Sequence, residues 1–125
     1  MRLLLDTHVY LWWLSDDPGL SSRAKSMIAG AAEVYVSSAS VWEASIKAGI
    51  GKLDVDIDEL VMQIEANGFL ELPIRAKHAA AIRLLPALHN DPFDRLLIAQ
   101  AMCEPLRFVT HDSKLKGYSE LVEVI

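Results

Sequence analysis

Apolar residues along this chain fall into two kinds of stretch. Short solid blocks such as Leu3-Leu4-Leu5 and Val34-Tyr35-Val36 have the length of strands buried on both faces, and the stretches between them space their apolar positions as helices do. Taken in order, the pattern predicts a strand over 3–6 and a helix over 7–14 with Val9, Trp12 and Trp13 on one stripe. Asp17-Pro18-Gly19 is a turn, Ser21 or Ser22 caps a helix to about Gly30, and 34–36 is the second strand. A helix starts at Ser38 or Ser40 and runs through Ala48, stopped by Gly49 and Gly51. Residues 53–58 are extended, Asp56 or Asp58 caps a helix to about Asn67, and Gly68 closes it. A third strand over 69–72 ends at Pro73, and a helix covers 74–85 until Pro86 breaks it. Asp91 at the N-cap and Pro92 at the first helical position open a helix that is apolar on nearly all sides beyond Arg95, hence buried. A fourth strand over 107–110, a short turn or helix over 112–115 and a last strand over 121–125 complete the chain. Short apolar strands alternating with helices predict an α/β fold. Its core is a small central parallel β-sheet of about five strands, flanked by helices on both faces, in one domain over 1–125.

Composition narrows the class. A chain of 125 residues buries roughly two-thirds of its unfolded surface, and 52% apolar with 23% charged residues describes a globular protein. No apolar run exceeds six residues, far short of a bilayer span, and Met1-Arg2 leads straight into the first strand without a secretory leader. The lone Cys103, placed in the buried helix, excludes an internal disulfide framework. These features predict a cytoplasmic protein. The net charge of −5 argues against a nucleic-acid binder held by a general basic surface. It leaves room for a nuclease, because acids gathered in a metal site count against the total.

Four acids stand out. Asp94 shares a helix face with Leu97, Ile98 and Ala101, so its carboxylate leans inward, where a charge needs a partner or a metal. Its plain alternative is a partner for the helix dipole, a need that Asp91 already meets. Asp6 ends the first strand and is either a helix cap or a ligand at the strand's carboxyl edge. Glu43 fits a capping box with Ser40 and an i,i+4 pair with Lys47, yet it belongs to a mostly apolar helix. Asp112 follows the fourth strand and is a cap or a second edge acid. In a parallel sheet all four positions fall on one edge. Carboxylates converging there would repel and several would protonate, a conflict that a divalent cation resolves. All-oxygen ligands favour Mg²⁺ or Mn²⁺ over zinc.

The segments Leu5-Asp6-Thr7-His8, Ser37-Ser38-Ala39-Ser40-Val41-Trp42-Glu43, His89-Asn90-Asp91-Pro92-Phe93-Asp94-Arg95 and Val109-Thr110-His111-Asp112 together resemble the PIN-domain family, most of all the VapC-type toxins of toxin–antitoxin pairs. The resemblance covers nearly the whole chain. It implies a metal-dependent ribonuclease whose acids fall on Asp6, Glu43, Asp94 and Asp112, with the last acting directly or through water. Together with the chemistry of the acids it implies one or two Mg²⁺ or Mn²⁺ ions and products ending in 5′-phosphate and 3′-hydroxyl. Thr7 and Thr110 are expected to hold water or a ligand carboxylate, and Arg95 to touch phosphate or pair with Asp91. The resemblance also implies an RNA substrate, a homodimer and a VapB-like antitoxin that wraps the toxin, with Leu11 or an exposed tryptophan as a contact.

Other motifs fail on their own terms. Asp54, Asp56, Asp58 and Glu65 imitate a calcium loop, but Glu59 stands where the sharp turn needs glycine. His8, His78, His89 and His111 lack zinc-site spacing. Trp12 and Trp13 point about 100° apart on a helix, so one enters the core and the other reaches the surface. Lys47, Lys52, Arg75 and Lys77 rim an RNA groove or form a solvated surface. An aspartyl-phosphate phosphatase needs a second acid where His8 stands, and a receiver-like domain needs an Asp where Glu71-Leu72-Pro73 stands. A catalytically silent PIN-like binding or regulatory module is the remaining alternative.

Overall fold

The computed structural model describes residues 1–88 and 90–125; His89, which opens the last acidic motif, lies outside the described residues. Five parallel strands form one sheet: β1 (Arg2–Leu5), β2 (Glu33–Ser37), β3 (Leu70–Leu72), β4 (Arg107–Thr110) and β5 (Val122–Val124), in the order β3-β2-β1-β4-β5. Between them run α1 (Thr7–Ser15), α2 (Ser22–Ala29), α3 (Ser38–Gly49), α4 (Ile57–Ala66), α5 (Ala76–Ala81) and α6 (Pro92–Cys103), with 3-10 turns over Ile82–Leu84 and Ser113–Tyr118.

The leucine block of β1 explains the layering. Leu3, Leu4 and Leu5 are all 0% exposed, because successive side chains point to opposite faces and both faces are covered. Leu3 and Leu5 join Val9, Tyr10, Ile28, Leu60 and Ile64 under α1, α2 and α4. Leu4 joins Leu97, Ile98, Leu106 and Phe108 under α6. From β1 the chain builds outward through β2 to β3, then returns to lay β4 on the other side of β1. That reversal puts the carboxyl ends of β1 and β4 side by side at a topological switch point, where open α/β sheets bind ligands.

Several boundaries differ from the sequence expectation. The helix expected over 74–85 is split into α5 and a 3-10 turn, because Pro86 drives Leu85 into an extended conformation (φ −80, ψ 140). The third strand begins at Leu70, since Phe69 turns inward to pack against Tyr10 and Trp13. The expected division of Trp12 and Trp13 between core and surface does not occur. Both are half-buried, Trp12 edge-on to His111 at 5.0 Å and Trp13 donating its indole N–H to Asn67 Oδ1 at 3.0 Å. Cys103 is half-buried at the end of α6, not enclosed, because the helix emerges there at Met102. Among the described residues, no helix is long and apolar enough to cross a membrane.

Candidate functional site

Asp6 stands at the N-cap position of α1, but its side chain does not cap the helix. Its Oδ2 instead accepts a 2.6 Å hydrogen bond from the Thr110 hydroxyl at the end of β4. The carboxyl is only 6% exposed. Burial pushes its pKa up and the charge of Glu43 adds to that, while the Thr110 hydroxyl, His8 and the Thr7 amide pull it down. Thr110 also receives the backbone N–H of Asp112 at 3.1 Å, so a single hydroxyl joins the two strand-end acids. Asp112 is half-buried and takes the cap position of the following 3-10 turn, accepting from the Lys114 amide at 3.0 Å. The cap and the edge acid are thus the same residue.

Glu43 reaches this edge from α3. The helix is capped by Ser37, whose hydroxyl accepts from the Ala39 amide at 3.0 Å and donates to Gln100 Oε1 of α6. The capping box expected between Ser40 and Glu43 therefore does not form. Ser40 lies inside the helix and accepts a 2.9 Å bond from the buried Thr7 hydroxyl, pinning the start of α1 to α3. Freed from capping, Glu43 is buried to 5% exposure, and its Oε2 meets the Lys47 ammonium at 2.7 Å. The hydrogen bond to Glu43 raises the Lys47 pKa, and the charges of Glu43, Asp91 and Asp94 reinforce it.

The α6 end follows the sequence expectation closely. Asp91 accepts from the amides of Phe93 at 2.8 Å and Asp94 at 3.3 Å, and Pro92 takes the first turn, where its missing N–H costs nothing. Asp94 is half-buried in that same turn. Arg95 bonds the carbonyls of Pro86 at 3.0 Å and Ile82 at 3.4 Å and the Tyr118 hydroxyl at 3.3 Å, a tether for the chain entering α6. The Ser37–Gln100 bond fixes α3 against α6, and with them the origins of Glu43 and Asp94.

The side chains are gathered on one edge but are not closed around an ion. Among the described residues, no three Asp, Glu, His or Cys side chains stand together closely enough to hold a metal. The i,i+4 pair expected between Glu43 and Lys47 forms, so Lys47, also considered for a groove rim or a solvated surface, sits on a buried acid. Ser40 left no sequence signal, since its partner lies 33 residues away. Beside the acids, His8, Trp12 and His111 form a row of rings. They adjoin a groove of about 650 Å³ between α1 and α4, lined by Leu11, Trp12, Leu53 and Gln63 among others.

The model of the PIN domain matches residues 3–121. The chain belongs to the PIN-domain family. It is 32% identical over 118 residues, 93% of this chain and 91% of the relative, to the protein named ribonuclease VapC22 of Mycobacterium tuberculosis. Its fold is similar to a chain of the VapBC2 complex from Rickettsia felis, solved bound to a promoter DNA fragment, with a TM-score of 0.74 and 16% identity over 100% of this chain and 98% of that one. A chain of a toxin-antitoxin complex from Klebsiella pneumoniae gives a TM-score of 0.64 at 15% identity, covering 98% and 99%. At these identities the two solved structures bear on the fold, and the PIN family's five-stranded parallel sheet is the one found here.

Proposed function

We propose that this chain is a metal-dependent endoribonuclease and the toxin of a toxin–antitoxin pair, active in the cytoplasm as one PIN domain. The observation that carries the reading is the Thr110 hydroxyl, which joins Asp6 to the Asp112 backbone at the switch point of the sheet. The relative named a ribonuclease supports the reaction class, and the toxin–antitoxin complexes among its structural relatives support a VapB-like antitoxin as partner. Asp6, Glu43, Asp94 and Asp112 are the metal and catalytic acids in this reading. The donor set suits Mg²⁺ or Mn²⁺, being oxygen throughout, and an ammonium already seated on Glu43 supports the view that the site takes a cation. Such an ion, when bound, supplies Lewis acidity for activating water and stabilising the leaving oxygen of an RNA phosphodiester.

The protein's own part is to hold these acids in place. Thr110 orients Asp6 by donating its hydroxyl to one of the carboxylate oxygens. Thr7 with Ser40 holds α1 against α3, so the Asp6 and Glu43 backbones keep their separation. Arg95 acts by fixing the chain before α6 rather than by touching substrate. The groove beside α1 carries Leu11 and Trp12, the side chains expected at the antitoxin contact. An exposed stripe of Trp42 and Ile46 on α3, continued by Ile50 at its C-cap, supports a homodimer. The silent-module alternative draws on the Lys47–Glu43 pair, which neutralises the site without a metal.

The test is cleavage of RNA by the purified chain with Mg²⁺ or Mn²⁺ and with EDTA. Cleavage should require the metal and disappear in Asp6→Asn and Asp94→Asn variants that still fold. If both variants cleave as well as the parent, the activity belongs to a contaminant and the reading fails. Expression should also arrest growth, with relief from a small protein encoded next door.

A further inference from the structure

The acids at the sheet edge are not left without a cation. Lys47 follows Glu43 by four residues on α3, and its Nζ lies 2.7 Å from Glu43 Oε2. The two ends of the pair differ in setting. The Glu43 side chain is 7% exposed and that of Lys47 39%, so the ammonium enters from solvent along the helix surface and reaches a buried oxygen. Asp91 and Asp94, from the start of α6, add their fields to the same ammonium. The ammonium is thus paired with Glu43 and lies within the fields of Asp91 and Asp94. Lysine suits this position because its ammonium is a compact point charge on a flexible stem, able to leave without unpacking anything, where arginine would hold the carboxylate by a rigid fork.

A divalent ion on Glu43 would either take Oε2, the oxygen that Lys47 holds, or bind Oε1 beside the ammonium, and in both cases the two cations would repel at that range. Resting on the metal-nuclease reading above, we propose that Lys47 is the resident counter-ion of the acidic site. It holds Glu43 when metal is absent, and metal binding proceeds by exchange with it. The pair therefore stabilises the metal-free chain and weakens metal binding by the same margin, since a group that binds only one of two states shifts the balance by its differential affinity.

The experiment is calorimetric titration of Mn²⁺ into the metal-free full chain, at one pH and one ionic strength, for the parent and for Lys47→Met, Lys47→Arg and Glu43→Gln. Lys47→Met keeps the stem and removes the charge, and should bind Mn²⁺ about two- to fivefold tighter, the upper part of the range of a partly exposed ion pair. Lys47→Arg should bind no tighter than the parent. In the Glu43→Gln background, Lys47→Met should change affinity by less than about twofold, because the coupling has lost its partner. Lys47→Gln repeats the measurement if the methionine variant does not fold. If the parent binds Mn²⁺ and neither neutral variant binds it more tightly, the counter-ion role is overturned and the metal reading survives. If neither the parent nor the neutral variants bind Mn²⁺, both fall together.

Discussion

Asp91 and Asp94 stand three residues apart in one motif, and we assign them different work. Asp91 accepts two backbone amides that the first turn of α6 would otherwise leave without an intrahelical partner. Replacing it with alanine removes a helix cap, which costs about 1 kcal/mol within a range of about 0.5–2. For 125 residues the entropy of unfolding near the midpoint is about 0.26 kcal/mol/K. The Asp91→Ala variant should therefore melt about 4 °C below the parent in EDTA. Asp91→Asn, which caps as well as aspartate, should recover most of that loss. Asp94→Asn keeps the volume and removes a charge from a crowded acidic edge, so its melting point should move less than that of Asp91→Ala, while RNA cleavage falls more than about 100-fold. Both quantities are read on the same preparations, the melt by circular dichroism and the cleavage with a fluorogenic RNA. If Asp91→Ala abolishes cleavage at an unchanged melting point while Asp94→Asn lowers stability and cleaves normally, the two roles have been assigned the wrong way round.

Two further outcomes depend on pH. Tyr10 donates its hydroxyl to the Leu60 carbonyl at 2.7 Å, and burial pushes its pKa from 10.0 up to about 12. The unfolded chain loses this proton first, so stability should fall as pH rises between about 10 and 12, and Tyr10→Phe should lessen that fall in alkaline urea titrations; an unchanged slope would refute it. Glu104 is held below its ordinary range by hydrogen bonds from His78 first and Lys77 second. Its contribution is present above the ordinary carboxylate pKa of 4.5 and is lost as pH falls through the lower folded value, so Glu104→Gln should flatten the acid limb of the stability profile. A parallel acid limb in that variant would count against the pairing.

What could be read from sequence followed the range of the interaction. The β1 leucines, the Asp91-Pro92 start of α6 and the Glu43–Lys47 spacing are local, and local chemistry determines them. Asp6 and Glu43 each had a ready plain explanation in sequence, and were singled out because a parallel sheet puts them on one edge with Asp94 and Asp112. The capping box at Ser40 was the wrong local choice, because Ser37, three residues earlier, caps the helix and also reaches Gln100. That competition is decided across 63 residues and leaves no trace in a short window. The break in the 74–85 helix was half visible: Pro86 marked its end, but the 3-10 turn over Ile82–Leu84, whose Ile82 carbonyl accepts from Arg95, left no local signal. The order of the strands, and with it the meeting of Asp6 and Thr110, lies wholly in tertiary packing.

That meeting also sets a timetable for synthesis. Asp6 and Thr110 are 104 residues apart, and β1 lies between β2 and β4 in the sheet. A growing chain can make the β1–β2–β3 side early, with Asp6 and Glu43 in hand, but the far wall of the site does not exist until β4 has been translated. Long-range closure of this kind is also slow relative to local helix formation. On the proposed reading, the four acids would therefore come together only after the messenger has been read through β4.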